Sequence, residues 1–228
     1  MEQITVLSKS ELFRGIPEKT VACYVLPQVQ IQTFSKGQFL IVPQQKVEHI
    51  SVVRSGRIHI MHLFPDGGYS LMSVLRPEKV LGADLVCTRS RIAPYHAVAA
   101  ADTVILSFSA ELLTTPGILP EQERLKGLGN LLTLISQENM KKEYRLAILS
   151  QKGLRGRIWT YLTMQASNRG DSTITIPFSR EELASFLCVN RTALSHELSQ
   201  MRQEGLISFR KNVFTIHKNI VFTGDSPE

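Results

Sequence analysis

The sequence contains few cysteines and no long apolar run, and both absences exclude classes of protein. Its 228 residues include only 3 cysteines, Cys23, Cys87 and Cys188, which lie far apart and form no Cys-x-x-Cys motif. We therefore expect neither a disulfide framework nor a zinc cluster, and the thiols fit a reducing cytoplasm. No stretch approaches the ~20 apolar residues that span a bilayer, and residues 1–10 lack the pattern of a secretory signal. The expectation is a cytoplasmic protein without a membrane partner.

The excess of positive over negative charge is also small. Lys and Arg number 26 against 20 Asp and Glu, which gives a formal charge of +6, and no basic tail or run of like charge occurs. A nucleic-acid partner would therefore be bound by a folded surface that places few charges well. The chain shows no Ser-His-Asp order, no P-loop and no paired catalytic carboxylates, so we do not expect an enzyme. His59 and His62 are predicted to face opposite sides of a strand, so no metal site is expected.

The first half of the chain alternates short apolar strands with turn residues. The runs Phe39–Val42 and Ile50–Val53 end at Pro43 and at Ser55-Gly56. Pro65-Asp66-Gly67-Gly68 predicts a hairpin turn, because glycine adopts positive φ at little cost. Strands this short, separated by turns this often, predict an antiparallel barrel or sandwich, which we place at residues 1–117.

A long stretch without proline then follows Pro120, and its apolar residues recur at spacings of three and four. A helix of ~30 residues would be ~45 Å long, which is more than a barrel of this size can cover. The two interpretations are a helix packed on its own barrel and a two-stranded coiled coil joining two subunits, and the length favours the second. We predict a dimerisation helix over residues 118–150, with an interface formed by Leu125, Leu128, Leu132, Ile135 and Asn139, and with Leu131 and Leu134 beside it.

The pattern becomes α-rich over residues 151–228. A second helix is predicted from Leu154 to Ala166, and Ser167–Asp171 is predicted to be a loop. Ser179-Arg180-Glu181-Glu182 matches the Ser-x-x-Glu capping box that begins a helix. That helix breaks at Cys188-Val189-Asn190, and Asn190 is a good cap for the next helix, from Arg191 to Glu204.

A predicted β-hairpin follows directly, with its turn at Arg210-Lys211-Asn212, so the pattern is that of a winged helix-turn-helix. The alternative, an ordinary helical hairpin with a solvated polar face, does not account for the capping box, the tight turn and the hairpin together. In a winged helix-turn-helix the second helix enters the major groove, so its outward side should be polar or cationic. The predicted base contacts are Arg191, Thr192, Ser195, His196 and Ser199, and the predicted contacts to the DNA backbone are Ser179, Arg180, Asn190, Arg210 and Lys211.

A set of glycine-containing motifs runs along the chain. It comprises Leu12-Phe13-Arg14-Gly15-Ile16, Phe34-Ser35-Lys36-Gly37-Gln38, Val53-Arg54-Ser55-Gly56-Arg57, Asp66-Gly67, Leu81-Gly82 and Glu204-Gly205-Leu206-Ile207. With the long helix and the winged helix, this set resembles the Crp/Fnr superfamily of bacterial transcription regulators. The resemblance implies an α+β fold with a jelly-roll-like β-roll that binds an effector, a homodimer through the long helix, and promoter recognition. The partners it implies are double-stranded DNA with an inverted repeat, and RNA polymerase.

The chain departs from the cyclic-nucleotide-binding members of this family. Those members use a Gly-Glu pair for the ribose and an Arg-Ser pair for the cyclic phosphate, whereas here Ala83 follows Gly82, and Ala93-Pro94 takes the Arg-Ser place. A buried cyclic phosphate would lack its charge-assisted partner, so cyclic AMP is not the expected ligand unless Arg89 or Arg91 substitutes. The resemblance places an unidentified small-molecule effector near Gly82, Asp84, Leu85, Arg91, Tyr95 and His96.

The DNA-reading helix departs as well. Arg191 is retained, but Thr192 takes the place of the family's Glu and His196 that of its second Arg, so the half-site of the cyclic-AMP receptor does not carry over.

A thiol- or haem-based redox or gas sensor on the same scaffold is the alternative function. Only Cys23 lies near the start of the chain, so the iron–sulfur cluster of the oxygen-sensing members is not expected. His62 or His96 could ligate haem, and Cys188 could be oxidised if a helix N-terminus favoured its thiolate.

Overall fold

The computed structural model describes residues 2–65 and 67–217, without the side chains of residues 168 and 169. Asp66, in the predicted hairpin turn, lies outside the described residues. The chain divides into two compact units, Met1–Glu143 and Tyr144–Glu228, with the division inside a long helix. Over the described ranges, none of the helices has the length and apolar character needed to cross a membrane.

The first unit is built from two four-stranded sheets in which every pairing is antiparallel. One sheet has the strand order β1-β8-β3-β6 and the other the order β2-β7-β4-β5. This topology confirms the predicted antiparallel β-roll. The strands are β1 Gln30–Phe34, β2 Phe39–Ile41, β3 His49–Ser55, β4 Ile58–Leu63, β5 Tyr69–Leu75, β6 Val80–Leu81, β7 His96–Ala99 and β8 Thr103–Ser109.

The first unit also contains helices, whose buried residues Leu7, Leu112 and Leu131 belong to its core. The helices are α1 Glu2–Lys9, α2 Glu18–Thr20, α3 Ala83–Val86, α4 Glu111–Thr114 and the long helix α5 Glu121–Leu149, and single turns of other helix types occupy Glu11–Phe13, Val21–Val25 and Leu26–Gln28. The core joins strand residues such as Ile50 and Phe108 to Phe13, whose ring centroid lies 5.4 Å from that of Phe108.

The long helix α5 has 29 residues, as its lack of proline predicted, but only part of its apolar stripe faces outward. Leu131 and Leu134 are 5% and 6% exposed and belong to the core of the first unit, so this part of the helix packs on its own β-roll. Gly127 permits this approach, because a Cβ there would lie 2.6 Å from Leu113 Cδ2. Leu125 and Leu132, predicted at the dimer seam, are 55% and 68% exposed.

The other three residues of the predicted seam differ in exposure. Leu128 and Ile135 are partly buried against the core of the first unit, and Asn139 is exposed. The helix therefore has one face committed to its own unit and a second apolar face that no described residue of that unit buries.

The second unit is a winged helix-turn-helix, as predicted. Its elements are α6 Leu154–Arg169, β9 Thr173–Thr175, α7 Arg180–Phe186, α8 Arg191–Gln203, β10 Ile207–Arg210 and β11 Val213–Ile216, and the sheet order is β10-β11-β9. The prediction that α6 ends at Ala166 and that a loop begins at Ser167 was wrong. The helix continues to Gly170, whose φ of 67° ends it and whose N–H bonds to the carbonyls of Ala166 and Ser167.

Candidate functional site

The start of α7 is fixed by the predicted capping box. The Ser179 hydroxyl oxygen accepts a hydrogen bond from the Glu182 N–H at 3.2 Å, and the Glu182 carboxylate accepts one from the Ser179 N–H at 2.7 Å. Both N–H groups would otherwise lack partners at a helix start.

The turn between α7 and α8 is tight and uses a left-handed residue. Cys188 has a φ of 57°, and its N–H bonds to the Ser185 carbonyl at 3.1 Å. Asn190 then begins α8, because its side-chain oxygen accepts from the Ala193 N–H at 2.7 Å. The small Ala184, 2% exposed, lies beneath this turn, where its carbonyl accepts from the Val189 N–H.

Helix α8 has two sharply different faces. Leu194, Leu198 and Met201 are fully buried and form its inward face. The residues predicted to contact bases are exposed on the other side, except Ser199, which is partly buried and donates to the Ser195 carbonyl at 2.9 Å. The exposed set is Arg191, Thr192, Ser195 and His196.

An ion-pair network that we did not predict holds α8 against α6. Arg155 of α6 donates to Glu197 at 2.6 Å and makes a two-pronged contact with Glu204 through hydrogen bonds of 2.8 Å each. These carboxylates, Glu204 first, raise the pKa of Arg155. The only signal in the sequence was the position of Glu197 beside the buried Leu198, which places this carboxylate close to the packed side of α8.

The predicted backbone-contacting residues divide into two groups. Arg210 and Lys211 are exposed in the turn of the β10–β11 wing, where Lys211 has a φ of 55°. Arg180 is partly buried instead, and its guanidinium lies over the rings of Phe209 and Phe214. Burial lowers the pKa of Arg180, with a smaller effect from Arg191.

In the first unit, the structure brings together some of the predicted effector residues. Tyr95 is 9% exposed and its hydroxyl donates to an Asp84 oxygen at 3.2 Å, while Lys142 of α5 contacts the other Asp84 oxygen at 3.3 Å. Burial, with Asp84 beside it, raises the pKa of Tyr95. Gly82 precedes α3 with a φ of 83°, and a Cβ there would lie 2.9 Å from the His49 carbonyl oxygen.

The other predicted effector residues are arranged differently. Leu85 is buried in the core. Arg91 is partly buried and adopts a φ of 55°. The ring of His96 lies 5.6 Å from that of Phe39, and its buried Nδ1 has no hydrogen-bond partner.

The two units match two known sequence families. Residues 31–115 match the cyclic nucleotide-binding domain, and residues 156–218 match the Crp-like helix-turn-helix domain. The chain belongs to the Crp/Fnr superfamily. It is a Crp-family transcription regulator in which a cyclic nucleotide-binding domain precedes a DNA-binding helix-turn-helix.

Known members of the Crp/Fnr superfamily resemble this chain over most of its length. The global nitrogen regulator of Synechococcus elongatus is 21% identical over 201 residues, which cover 86% of this chain and 89% of the regulator. The structure of FixK2 from Bradyrhizobium japonicum has 18% identity and a TM-score of 0.61, covering 83% of this chain and 93% of FixK2. The c-di-GMP responsive global regulator CLP of Xanthomonas campestris has 14% identity and a TM-score of 0.65, covering 89% of this chain and 100% of CLP. At these identities the structural likeness shows a shared fold. Crp-family helix-turn-helix regulators bind DNA and function as dimers.

Proposed function

We propose that two copies of this chain bind an inverted repeat in promoter DNA under the control of a small-molecule effector, and that the promoter-bound dimer contacts RNA polymerase. The observation that carries the proposal is the two-faced helix α8. Its inward face is fully buried, while a polar and cationic face is exposed at Arg191, Thr192, Ser195 and His196. In a dimer, two such helices would meet successive major grooves about 34 Å apart.

Arg191 is the residue that we assign to sequence recognition. It is exposed at the N-terminal end of α8, the end that contacts base edges in helix-turn-helix proteins. A guanidinium can donate two hydrogen bonds to one guanine. Thr192, Ser195 and His196 would read neighbouring base edges, while Asn190, Ser179, Arg210 and Lys211 would hold the phosphate backbone.

The experiment is a gel-shift titration of full-length Arg191→Ala on a duplex selected from a random library. We expect the variant to lose about 1–3 kcal/mol of binding free energy on the selected duplex and much less on a random duplex. Gln203→Ala, at the other end of α8, is the control and should leave both affinities unchanged. Equal losses on the two duplexes would contradict the assignment, and failure of the wild type to select any sequence would contradict DNA recognition itself.

Dimerisation is proposed through the outward face of α5. Leu125, Leu132 and Asn139 are spaced seven residues apart, so they lie on one side of the helix, and all three are exposed. Two exposed leucines at this spacing expose apolar surface that a second copy of the helix would remove from water. Asn139 would set the register of the pair as a polar seam residue.

Effector control is proposed through the contacts around Asp84. The Asp84 carboxylate, at the start of α3, contacts the buried Tyr95 and Lys142 of the long helix. A ligand that displaced Tyr95 or Lys142 would therefore change the contact between Asp84 and α5. Such a ligand would shift an existing equilibrium between conformations. Thermal-shift screening should find a metabolite that stabilises the protein, because ligands that bind only the folded state raise its stability.

The screening panel should contain both cyclic mononucleotides and cyclic dinucleotides, since CLP is described as c-di-GMP responsive. Cyclic AMP is expected to give no shift, because Ala93 and Pro94 supply neither a cation nor a hydroxyl for its phosphate. A panel in which no compound shifts the melting temperature would argue against small-molecule control.

A thiol sensor is the second candidate, and the position of Cys188 favours it. Cys188 is exposed in the tight turn, and its Sγ lies 3.9 Å from a guanidinium nitrogen of Arg145. Cys87 is a poorer candidate, because burial raises the pKa of its thiol. Peroxide treatment followed by thiol-labelling mass spectrometry tests this function, and an absorbance scan for a Soret band tests for haem. No adduct at Cys188 would dismiss the thiol sensor.

A further inference from the structure

The wing of the helix-turn-helix is attached to the rest of the second unit by an arginine. Arg180, the first residue of α7, donates a hydrogen bond from its guanidinium to the Lys211 carbonyl at 3.1 Å. The centre of the same guanidinium lies 4.9 Å from the ring centroid of Phe209 and 5.2 Å from that of Phe214. These two phenylalanines are cross-strand partners in the wing, with ring centroids 5.5 Å apart. One side chain of α7 therefore contacts both wing strands and the turn between them.

A second arginine completes this arrangement from α8. The guanidinium centre of Arg202 lies 5.1 Å from the Phe209 ring centroid. Phe209 is thus contacted by guanidinium groups from both helices of the helix-turn-helix. Guanidinium groups are attracted to aromatic faces and stack on them, so the ring connects the wing to both helices.

The conformation of the wing turn explains why such a connection is needed. Lys211 has a φ of 55°, which an L-residue adopts at a cost. Its side chain and that of Arg210 are exposed at the turn, where the wing of such a protein reaches the DNA backbone. The Arg180 hydrogen bond to the Lys211 carbonyl supports this turn, and burial has already removed part of the water around the Arg180 charge.

We propose that Arg180 is a positioning residue that, through Phe209 and the Lys211 carbonyl, fixes the wing turn so that Arg210 and Lys211 meet DNA phosphates. This positioning role takes the place of the direct phosphate contact that was predicted for Arg180 from the sequence. The proposal rests on the DNA-binding function proposed above, and it deepens that function by naming what positions the wing.

Lysine carries the same charge but cannot stack on Phe209 while donating to the Lys211 carbonyl as the planar guanidinium does. Its ammonium group is a compact, strongly hydrated point charge without the planar surface that stacks on a ring. A direct phosphate contact, by contrast, would largely survive replacement by lysine. Arg180→Lys and Phe209→Leu therefore distinguish the two roles, since both preserve the charge of the protein and both remove the stacking.

The first measurement is the affinity of the full-length protein for its selected duplex over a series of salt concentrations. We expect Arg180→Lys and Phe209→Leu each to weaken binding about fivefold and to lower the slope of log K against log salt by about one, as loss of a phosphate contact does. Sequence preference should be retained, because α8 is not altered. Arg14→Lys, the same change at an exposed arginine of the first unit, is the control and should match the wild type.

A double-variant comparison tests whether Arg180 acts through Lys211. Arg180→Gln should weaken DNA binding of the otherwise wild-type protein. In a protein that already carries Lys211→Ala, the same change should weaken DNA binding by less than about twofold, because the effects of coupled residues are not additive. A wild-type affinity and slope for Arg180→Lys, together with additive losses for Arg180→Gln and Lys211→Ala, would overturn the proposal and restore the direct contact.

The second measurement needs no DNA, so it separates this proposal from the proposed function. Amide hydrogen exchange of the full-length protein should be faster across β10 and β11 in Arg180→Lys and Phe209→Leu, and unchanged in the buried turns of α8. Unchanged exchange in the wing would overturn the proposal even if the protein binds DNA. If the wild type selects no DNA sequence, the proposed function fails, and faster wing exchange would still establish that Arg180 holds the wing.

Discussion

A single residue, Cys188, shows how the helix-turn-helix depends on local backbone strain. Its φ of 57° lies in the left-handed region, where a side chain costs an L-residue about 1–2 kcal/mol, whereas glycine adopts it freely. Glycine also loses more chain entropy on folding, which offsets part of this difference. We expect Cys188→Gly to be more stable than Cys188→Ala by about 1 kcal/mol.

Urea denaturation of the two variants measures this difference. The single tryptophan, Trp159, lies in α6, so its fluorescence follows the second unit by itself. Cys188→Ala removes the same thiol without relieving the backbone and is the matched control. If the two variants unfold at the same urea concentration, the left-handed turn is not a source of strain.

Residue roles in this chain were predictable where a local pattern determines them. The cap formed by Asn190 and the capping box at Ser179 follow from residues three positions apart, and both are present. The surroundings of Arg180 were not predictable, because Phe209 is distant in sequence and its ring position depends on the folded wing.

At the scale of elements, the pairing of α6 with α8 determines where the recognition helix lies within the second unit. Leu194 and Leu198 are buried on the inward face of α8, while Arg155 contacts Glu197 in the middle of α8 and Glu204 directly after its last residue. Negative charge near a helix C-terminus is unfavourable, and Arg155 compensates it. We expect Arg155→Gln to lower the melting temperature of the second unit at low salt.

Salt provides the internal test of this element-scale prediction. The network is exposed, so the difference between Arg155→Gln and the wild type should shrink as salt rises from about 0.05 to 1 M, where the Debye length is only ~3 Å. Lys152→Gln removes one exposed positive charge of the same unit and should have little effect. A melting difference that does not depend on salt would show that Arg155 acts by packing instead of charge.

The ends of helices coincide with strong stop residues in the sequence, whereas the packed face of α5 could not be predicted from its apolar pattern. Helix α6 continued through Ser167, because the first strong stop in that stretch is Gly170. The stripe on α5 includes Leu128, Leu131, Leu132 and Leu134, so periodicity alone could show that the helix has an apolar side. Which leucines face the β-roll depends on the path of the helix across α4, where Gly127 allows close approach.

At the scale of the whole molecule, the outward leucines of α5 connect oligomeric state to DNA affinity. Leu132 is 68% exposed, so replacing it should not disturb the first unit, but a charge at this position would be buried in a helix dimer. We expect Leu132→Glu to convert the protein from a dimer to a monomer of 25.6 kDa in light-scattering chromatography, without a change in secondary structure.

The same variant should lose the advantage that two linked recognition helices have over one. Joining two binding modules makes the second contact intramolecular, which strengthens binding by roughly 10²–10⁴-fold without any new contact. The wild type should therefore prefer a full inverted repeat to a single half-site by such a factor, and Leu132→Glu should show almost no preference. Gln137→Glu adds the same charge at an exposed position five residues further along α5, away from the predicted seam, and should keep both the dimer and the preference. A wild type that is already monomeric, or a Leu132→Glu variant that remains dimeric, would show that the two copies do not meet through this face of α5.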